Sequence, residues 1–194
     1  MVASCGPAHV FHKEAERGCP ATGELAIGGQ EDVAAVAGCT ALASITIRTG
    51  AALDLGPLAR LETIDGDLRI GPSVGLAEVA LPRLRSVRGT IRIVGNGNLH
   101  AVLLPKLERA DRIEIDGNIA LANLGLPALV TTTGLAITHN ADLEIVDVTA
   151  LTALPALELS DNPKLVMIEG RPKAATVRVE NNAALPAELA DALR

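Results

Sequence analysis

The chain has 194 residues, a net charge of −6 and 48% hydrophobic residues, yet only 1% are aromatic: one Phe (Phe11), no Trp and no Tyr. That balance supplies neither the basic footprint nor the stacking rings that nucleic acids need. The aliphatic content is too high for a disordered chain, and no apolar run reaches the ~18 residues of a membrane helix. A core must therefore be built from Leu, Ile, Val and Ala without large rings, which points to a narrow, repetitive interior.

Residues 1–18 lie outside any repeat and read as a loose arm; residues 19–194 read as one domain. From Leu25 onward an apolar-x-apolar triplet recurs: Leu25-Ala26-Ile27, Ile45-Thr46-Ile47, Leu68-Arg69-Ile70, Ile91-Arg92-Ile93, Ile113-Glu114-Ile115, Leu135-Ala136-Ile137, Leu157-Glu158-Leu159 and Val177-Arg178-Val179. Its second apolar residue advances by 20, 23, 23, 22, 22, 22 and 20 positions. The alternation is that of a strand with one buried face. The step is that of a solenoid coil, which cannot bury its own apolar side and must stack on its neighbours. Eight coils at about 4.8 Å each predict a rod about 38 Å long.

Between the first two triplets, Glu31-Asp-Val-Ala-Ala-Val-Ala37 followed by Gly38 predicts a short helix, acidic at its start and stopped by Gly. From the third coil on, a polar corner residue follows each triplet at a fixed distance: Ser73, Asn96, Asn118, Asn140, Asn162 and Asn182. Asn suits a corner, because its amide bonds neighbouring backbone and it tolerates the left-handed conformation. Three positions later Leu76, Leu99, Leu121, Leu143, Leu165 and Leu185 return to the interior, with Leu53 at the same phase of the second coil. A second apolar group then leads to the Leu-Pro steps at Pro82, Pro105 and Pro127, which mark a further corner rather than a ladder position. The chain closes on 186–194, where Leu189 and Leu193 stand four apart behind Pro186 and predict a helical lid.

This order of features resembles the receptor L domain. The carrying residues are Cys19, Gly38-Cys39, Ile64-Asp-Gly-Asp-Leu-Arg-Ile70, Val87-Arg-Gly-Thr-Ile-Arg-Ile93 and the three Leu-Pro steps. The likeness spans roughly 19–185 and is closest in style to bacterial and fungal cell-surface members. It implies an all-β, right-handed, leucine-rich parallel β-solenoid with Cys19 and Cys39 bridged at its N-terminal end, and a role in ligand binding without catalysis or cofactor. There is no Cys-rich module, kinase or Asn-x-Ser/Thr sequon, so receptor signalling and a glycosylated wall role do not transfer. The Ala-rich composition suits a bacterium.

A 19–39 bridge implies an oxidising compartment; the alternative is two reduced, buried thiols. Cys5 is the odd cysteine. Val2-Ala3-Ser4-Cys5-Gly6 resembles the end of a bacterial lipoprotein signal, where such a Cys is cleaved and lipidated, but the basic and apolar parts of a signal do not precede it here. Either the sequence starts inside a signal or the match is accidental; without export the chain is cytoplasmic.

Sites for chemistry are sparse. Gly71-Pro72-Ser73-Val74-Gly75 matches a nucleophile elbow, but Ser73 stands at the corner phase and is followed by a strand rather than a helix. Cys5, His9, His12 and Cys19 are metal-ligand types in a spacing that matches no standard zinc site. His100 and His139 read as exposed turn residues. The outward row of the first sheet, Ala26, Thr46, Arg69, Arg92, Glu114, Ala136, Glu158 and Arg178, predicts an Arg92–Glu114 cross-strand pair and offers no paired acids of a polysaccharide-cleaving kind. The outward row of the second sheet is Glu78, Ala80, Ala101, Leu103, Asn123, Gly125, Ile145 and Asp147. It carries fewer charges, with Leu103 and Ile145 outward, and is the candidate contact face for a protein or glycan. The expectation is a non-enzymatic recognition or adhesion module of a bacterial envelope, monomeric or weakly self-associating, with no nucleic-acid partner and no membrane contact beyond a lipid anchor. Its alternatives are a self-assembling envelope element and, further off, a polysaccharide-active enzyme.

Overall fold

The computed structural model describes residues 18–193. The arm of 1–17, with Cys5, His9 and His12, lies outside the described residues. The rest is a parallel β-solenoid.

The first coil is β1 (Glu24–Ile27), helix α1 (Gln30–Ala35) and β2 (Ala41–Leu42), and the second is β3 (Ser44–Ile47), a 3-10 turn at Gly56–Leu58 and β4 (Thr63–Ile64). The third begins with β5 (Leu68–Ile70) and β6 (Glu78–Ala80). Thereafter long and short strands alternate: β7 (Ser86–Val94), β8 (Ala101–Leu103), β9 (Arg109–Asp116), β10 (Asn123–Gly125), β11 (Gly134–Thr138), β12 (Ile145–Asp147), β13 (Ala153–Ser160), β14 (Met167–Glu169) and β15 (Lys173–Glu180). Helix α2 (Ala187–Ala192) follows. One sheet runs β1-β3-β5-β7-β9-β11-β13-β15, with β2 and β4 joined at its side; a second of five strands runs β6-β8-β10-β12-β14. Both helices stand where caps are expected, α1 one residue early and α2 inside 186–194.

The register sets the predicted triplets over one another: Ile27 pairs Ile47, Ile47 pairs Ile70, Ile70 pairs Ile93, and the series continues to Val179. These residues, the returning leucines and the middle residues of the second sheet form one continuous aliphatic core. Leu76, Leu99, Leu121, Leu143 and Leu165 are fully buried, while Leu53 and Leu185, nearer the ends, keep slight exposure. Each buried aliphatic side chain contributes on the order of 2 kcal/mol, and an interior filled by single aliphatic layers needs no ring.

Eight rungs of the first sheet bound seven full turns rather than eight closed coils. The last rung leads into α2 and never turns through a second sheet. The second sheet is also shorter than the first, because α1 and the 3-10 turn occupy that side in the first two coils.

The change of step from 23 to 22 residues has a local cause. Ser86 and Val87 pair Arg109 and Ala110, but Thr90 pairs Arg112, so Arg88 and Gly89 bulge opposite the single residue Asp111. Gly89 lies so close over the previous coil that a Cβ would stand 2.9 Å from the backbone of Gly66. The Gly of the Ile-x-Gly-x-Leu-x-Ile pattern is thus required by rung-to-rung approach at the bend between two sides.

Candidate functional site

Polar side chains gather at the coil corner and around the exposed His139, and the second-sheet face presents exposed apolar ones.

The corner residues stack as expected, and they are interior, Asn182 half-buried at the end. Asn96, Asn118, Asn140 and Asn162 are fully buried, and Ser73 nearly so. Each Asn Oδ1 from Asn118 to Asn182 accepts two bonds from the preceding rung. Asn162 Oδ1 accepts the Asn140 N–H and the Asn140 Nδ2–H, both at 3.1 Å. Asn182 Oδ1 accepts the same pair from Asn162. The amides also donate to carbonyls of the coil behind, Asn140 to Ile115 O at 3.0 Å and Asn162 to Ile137 O at 2.9 Å. The left-handed residue is not the Asn. It is the residue before it: Gly95, Gly117, His139, Asp161 and Asn181 all have φ between 54° and 69°. That residue turns the chain, which frees the Asn side chain to point inward and bond. Ser73 takes the ladder phase by bridging Asn96, and its hydroxyl donates to Thr49 O at 2.7 Å.

Two positions of this left-handed column, His139 and Asp161, carry titratable side chains. His139 is exposed; its Nδ1 lies 2.9 Å from Asp116 Oδ1 and its Nε2 3.6 Å from Asp161 Oδ2. Thr138 Oγ1 donates to the same Asp116 oxygen at 2.6 Å. The hydrogen bond to Asp116 raises the His139 pKa above 6.5; burial opposes the rise, and the Asp116 and Asp161 charges add to it. Burial pulls Asp116 up, but hydrogen bonds from Thr138 and His139, with the charges of His139 and Arg92, bring it below 3.8. Sequence spacing alone did not join these residues, because Asp116 and His139 are offset by one position across neighbouring coils. His100 is exposed and its carbonyl accepts the N–H groups of Ala122 and Asn123.

The outward row of the first sheet is as the spacing predicts, and Arg92 pairs Glu114 at 3.3 Å. A second pair, Arg178 with Glu158 at 2.9 Å, closes the row.

The second-sheet face has the expected register: Glu78, Ala101, Asn123 and Ile145 form one column, Ala80, Leu103, Gly125 and Asp147 the other. The fifth strand extends both columns by Met167 and Glu169. These two lie one 22-residue step beyond Ile145 and Asp147, so the same spacing identifies them. Leu103 and Met167 are exposed and Ile145 is half-buried. The Leu103 side chain leans over the next strand, its Cδ2 3.3 Å from where a Cβ on Gly125 would sit. A smooth apolar diagonal therefore runs Leu103, Gly125, Ile145, Met167. Glu78 flanks it at one end, Asp147 and Glu169 at the other, and no basic residue stands among the outward positions of these five strands. Asp147 is fixed by accepting from the Thr149 N–H at 3.0 Å and hydroxyl at 2.6 Å.

At the N-terminal end Cys19 and Cys39 form a disulfide, which places the chain in an oxidising environment. That pairing also takes Cys19 out of the four-ligand metal set. No helix among the described residues is long and apolar enough to cross a membrane. No protein-family model, curated protein or solved structure matches the chain.

Proposed function

We propose that this chain is a non-enzymatic recognition module of a bacterial cell envelope, and that its second-sheet face binds a partner protein. The observation that carries this reading is the apolar diagonal Leu103–Ile145–Met167, held flat by in-register strands and edged by Glu78, Asp147 and Glu169. Exposed aliphatics rimmed by charge are the pattern of a contact surface. The acidic rim selects a partner whose apolar patch is edged by Lys or Arg. A rigid sheet loses little ordering entropy on binding. The disulfide supports placement outside the cytosol, and the resemblance to receptor L domains supports recognition without catalysis. Cys5 is the proposed tether to lipid.

The test is retention of an envelope-fraction protein on immobilised chain, compared with Leu103→Arg/Met167→Arg. Saturable, salt-weakened retention that the double variant abolishes, at unchanged melting temperature, supports the reading. Equal retention by both removes the face from it.

Self-association is the second reading. It is favoured by the place of β15, an eight-residue strand that ends the first sheet with β13 as its neighbour strand among the described residues. Light scattering across concentration separates the two: mass that rises with concentration supports self-association, and a mass that stays that of one chain removes it.

A further inference from the structure

On the outer surface of the first sheet, the register Ile47–Ile70–Ile93 sets Arg48, Gly71 and Val94 at one phase of three successive rungs. The Gly71 N–H donates to Ile47 O at 2.9 Å. A Cβ on Gly71 would stand 2.0 Å from Val94 O, so this rung accepts no side chain. Beside Gly71 lies a cleft of about 360 Å³ lined by Arg48, Arg69, Ile70, Pro72, Arg92 and Val94. A second hollow shares Arg48 and Pro72 and continues toward Thr49 and Ser73. The volume lies within the range of small-molecule sites and exceeds what a bare ion fills.

Three arginines from three coils line this cleft in a chain of net charge −6. Arg69 pairs Glu24 at 3.4 Å and Asp67 at 2.5 Å, and Arg92 pairs Glu114 at 3.3 Å. Arg48 has no ion pair among the described residues. Exposed pairs of this kind are weak and exchange readily, whereas a ligand oxyanion can take forked, charge-assisted bonds from more than one guanidinium. We propose that the Gly71–Pro72 cleft binds a compact organic anion, a sugar acid or sugar phosphate in class, with Arg48 as its anchor and Arg69 and Arg92 closing on it. Pro72 and Val94 supply the apolar walls for the carbon skeleton. The site is on a different sheet from the Leu103–Met167 face and does not depend on it.

Calorimetric titration with galacturonate, glucose 6-phosphate, inorganic phosphate and neutral galactose tests this on wild type, Arg48→Gln, Arg92→Gln and the control Arg83→Gln. Saturable binding of at least one organic anion is expected, with no binding of galactose. Arg48→Gln should weaken it about tenfold or more, the loss of one charge-assisted bond, and Arg92→Gln should weaken it as well. Arg83, on another corner, should change nothing. Melting curves establish that each variant is folded. Absence of saturable binding, equal affinity in wild type and Arg48→Gln, or inorganic phosphate binding as tightly as both organic anions each overturns the assignment.

Discussion

Asn118 Oδ1 accepts both the backbone N–H of Asn96, at 3.1 Å, and its Nδ2–H, at 2.8 Å. Each following rung repeats this fork, so one buried column of amides ties consecutive coils through both backbone and side chain. Neutral amides bonded in series in a low-dielectric interior reinforce one another. Losing one member orphans groups on both neighbours. Asn140→Ala strips the acceptor from the Asn118 N–H and amide and the donor from Ile115 O and Thr138 O. It should cost about 2–4 kcal/mol in urea unfolding, against under 1 kcal/mol for exposed Asn98→Ala. Similar losses at the two sites would remove the ladder as a stabilising device.

The column ends at Asn96. Its Oδ1 is buried without a hydrogen-bond partner among the described residues, because the rung before it carries Ser73, whose hydroxyl is spent on Thr49 O. Ser73→Asn supplies the missing Nδ2–H and should raise stability by about 1 kcal/mol. A decrease instead would show that the Ser73 rung cannot hold an inward amide.

Leu121 is fully buried in the middle of the stack and Leu185, at the same phase, caps its end. Leu121→Ala should cost about 3–5 kcal/mol, because rungs on both sides hold the cavity open. Leu185→Ala should cost about 1–2 kcal/mol, since the end can collapse around the smaller residue. Leu121→Asp should abolish cooperative folding by placing an unpaired charge in the core. Equal thermal stability of Leu121→Asp and wild type would contradict the coil phase itself.

The Cys19–Cys39 disulfide closes a segment with a sequence separation of 20 that contains β1 and α1. Reduction, or the double Ser variant, should cost roughly 3 kcal/mol through the entropy released to the unfolded loop. Amide exchange should quicken first in β1 and α1 and leave β9–β13 protected. Uniform loss of protection along the rod would mean that the N-terminal coil does not unfold by itself.

The His139–Asp116 pair has a pH signature. His139 has a raised pKa, so its contribution is complete below 6.5 and fades as pH rises through its folded value. Asp116 has a lowered pKa, so its contribution is present above 3.8 and fades as pH falls through its folded value. The pair therefore acts between those two folded values, and its exposure keeps the effect small. A proton NMR titration of His139 should give a midpoint above 6.5, moving toward 6.5 in Asp116→Asn. No movement would assign the shift to other charges.

The sequence by itself determined the coil step, the inward pairs from Ile27 to Val179, the phase of the corner residues, the outward rows of both sheets and the second corner at the Leu-Pro steps. Each is a property of one chain segment repeated: alternation fixes which side chains point in, and a constant step stacks them. Only the tertiary structure decided what happens between rungs. It placed the extra residue at Gly89, moved the left-handed turn to the residue before each Asn, replaced the second sheet by α1 and the 3-10 turn in the first two coils, joined His139 to Asp116, and brought Arg48, Arg69 and Arg92 to one cleft. Those features depend on which atoms of neighbouring coils meet and how closely. Adjacent rungs come from residues about 22 positions apart, whose offsets and approach distances no single repeat encodes.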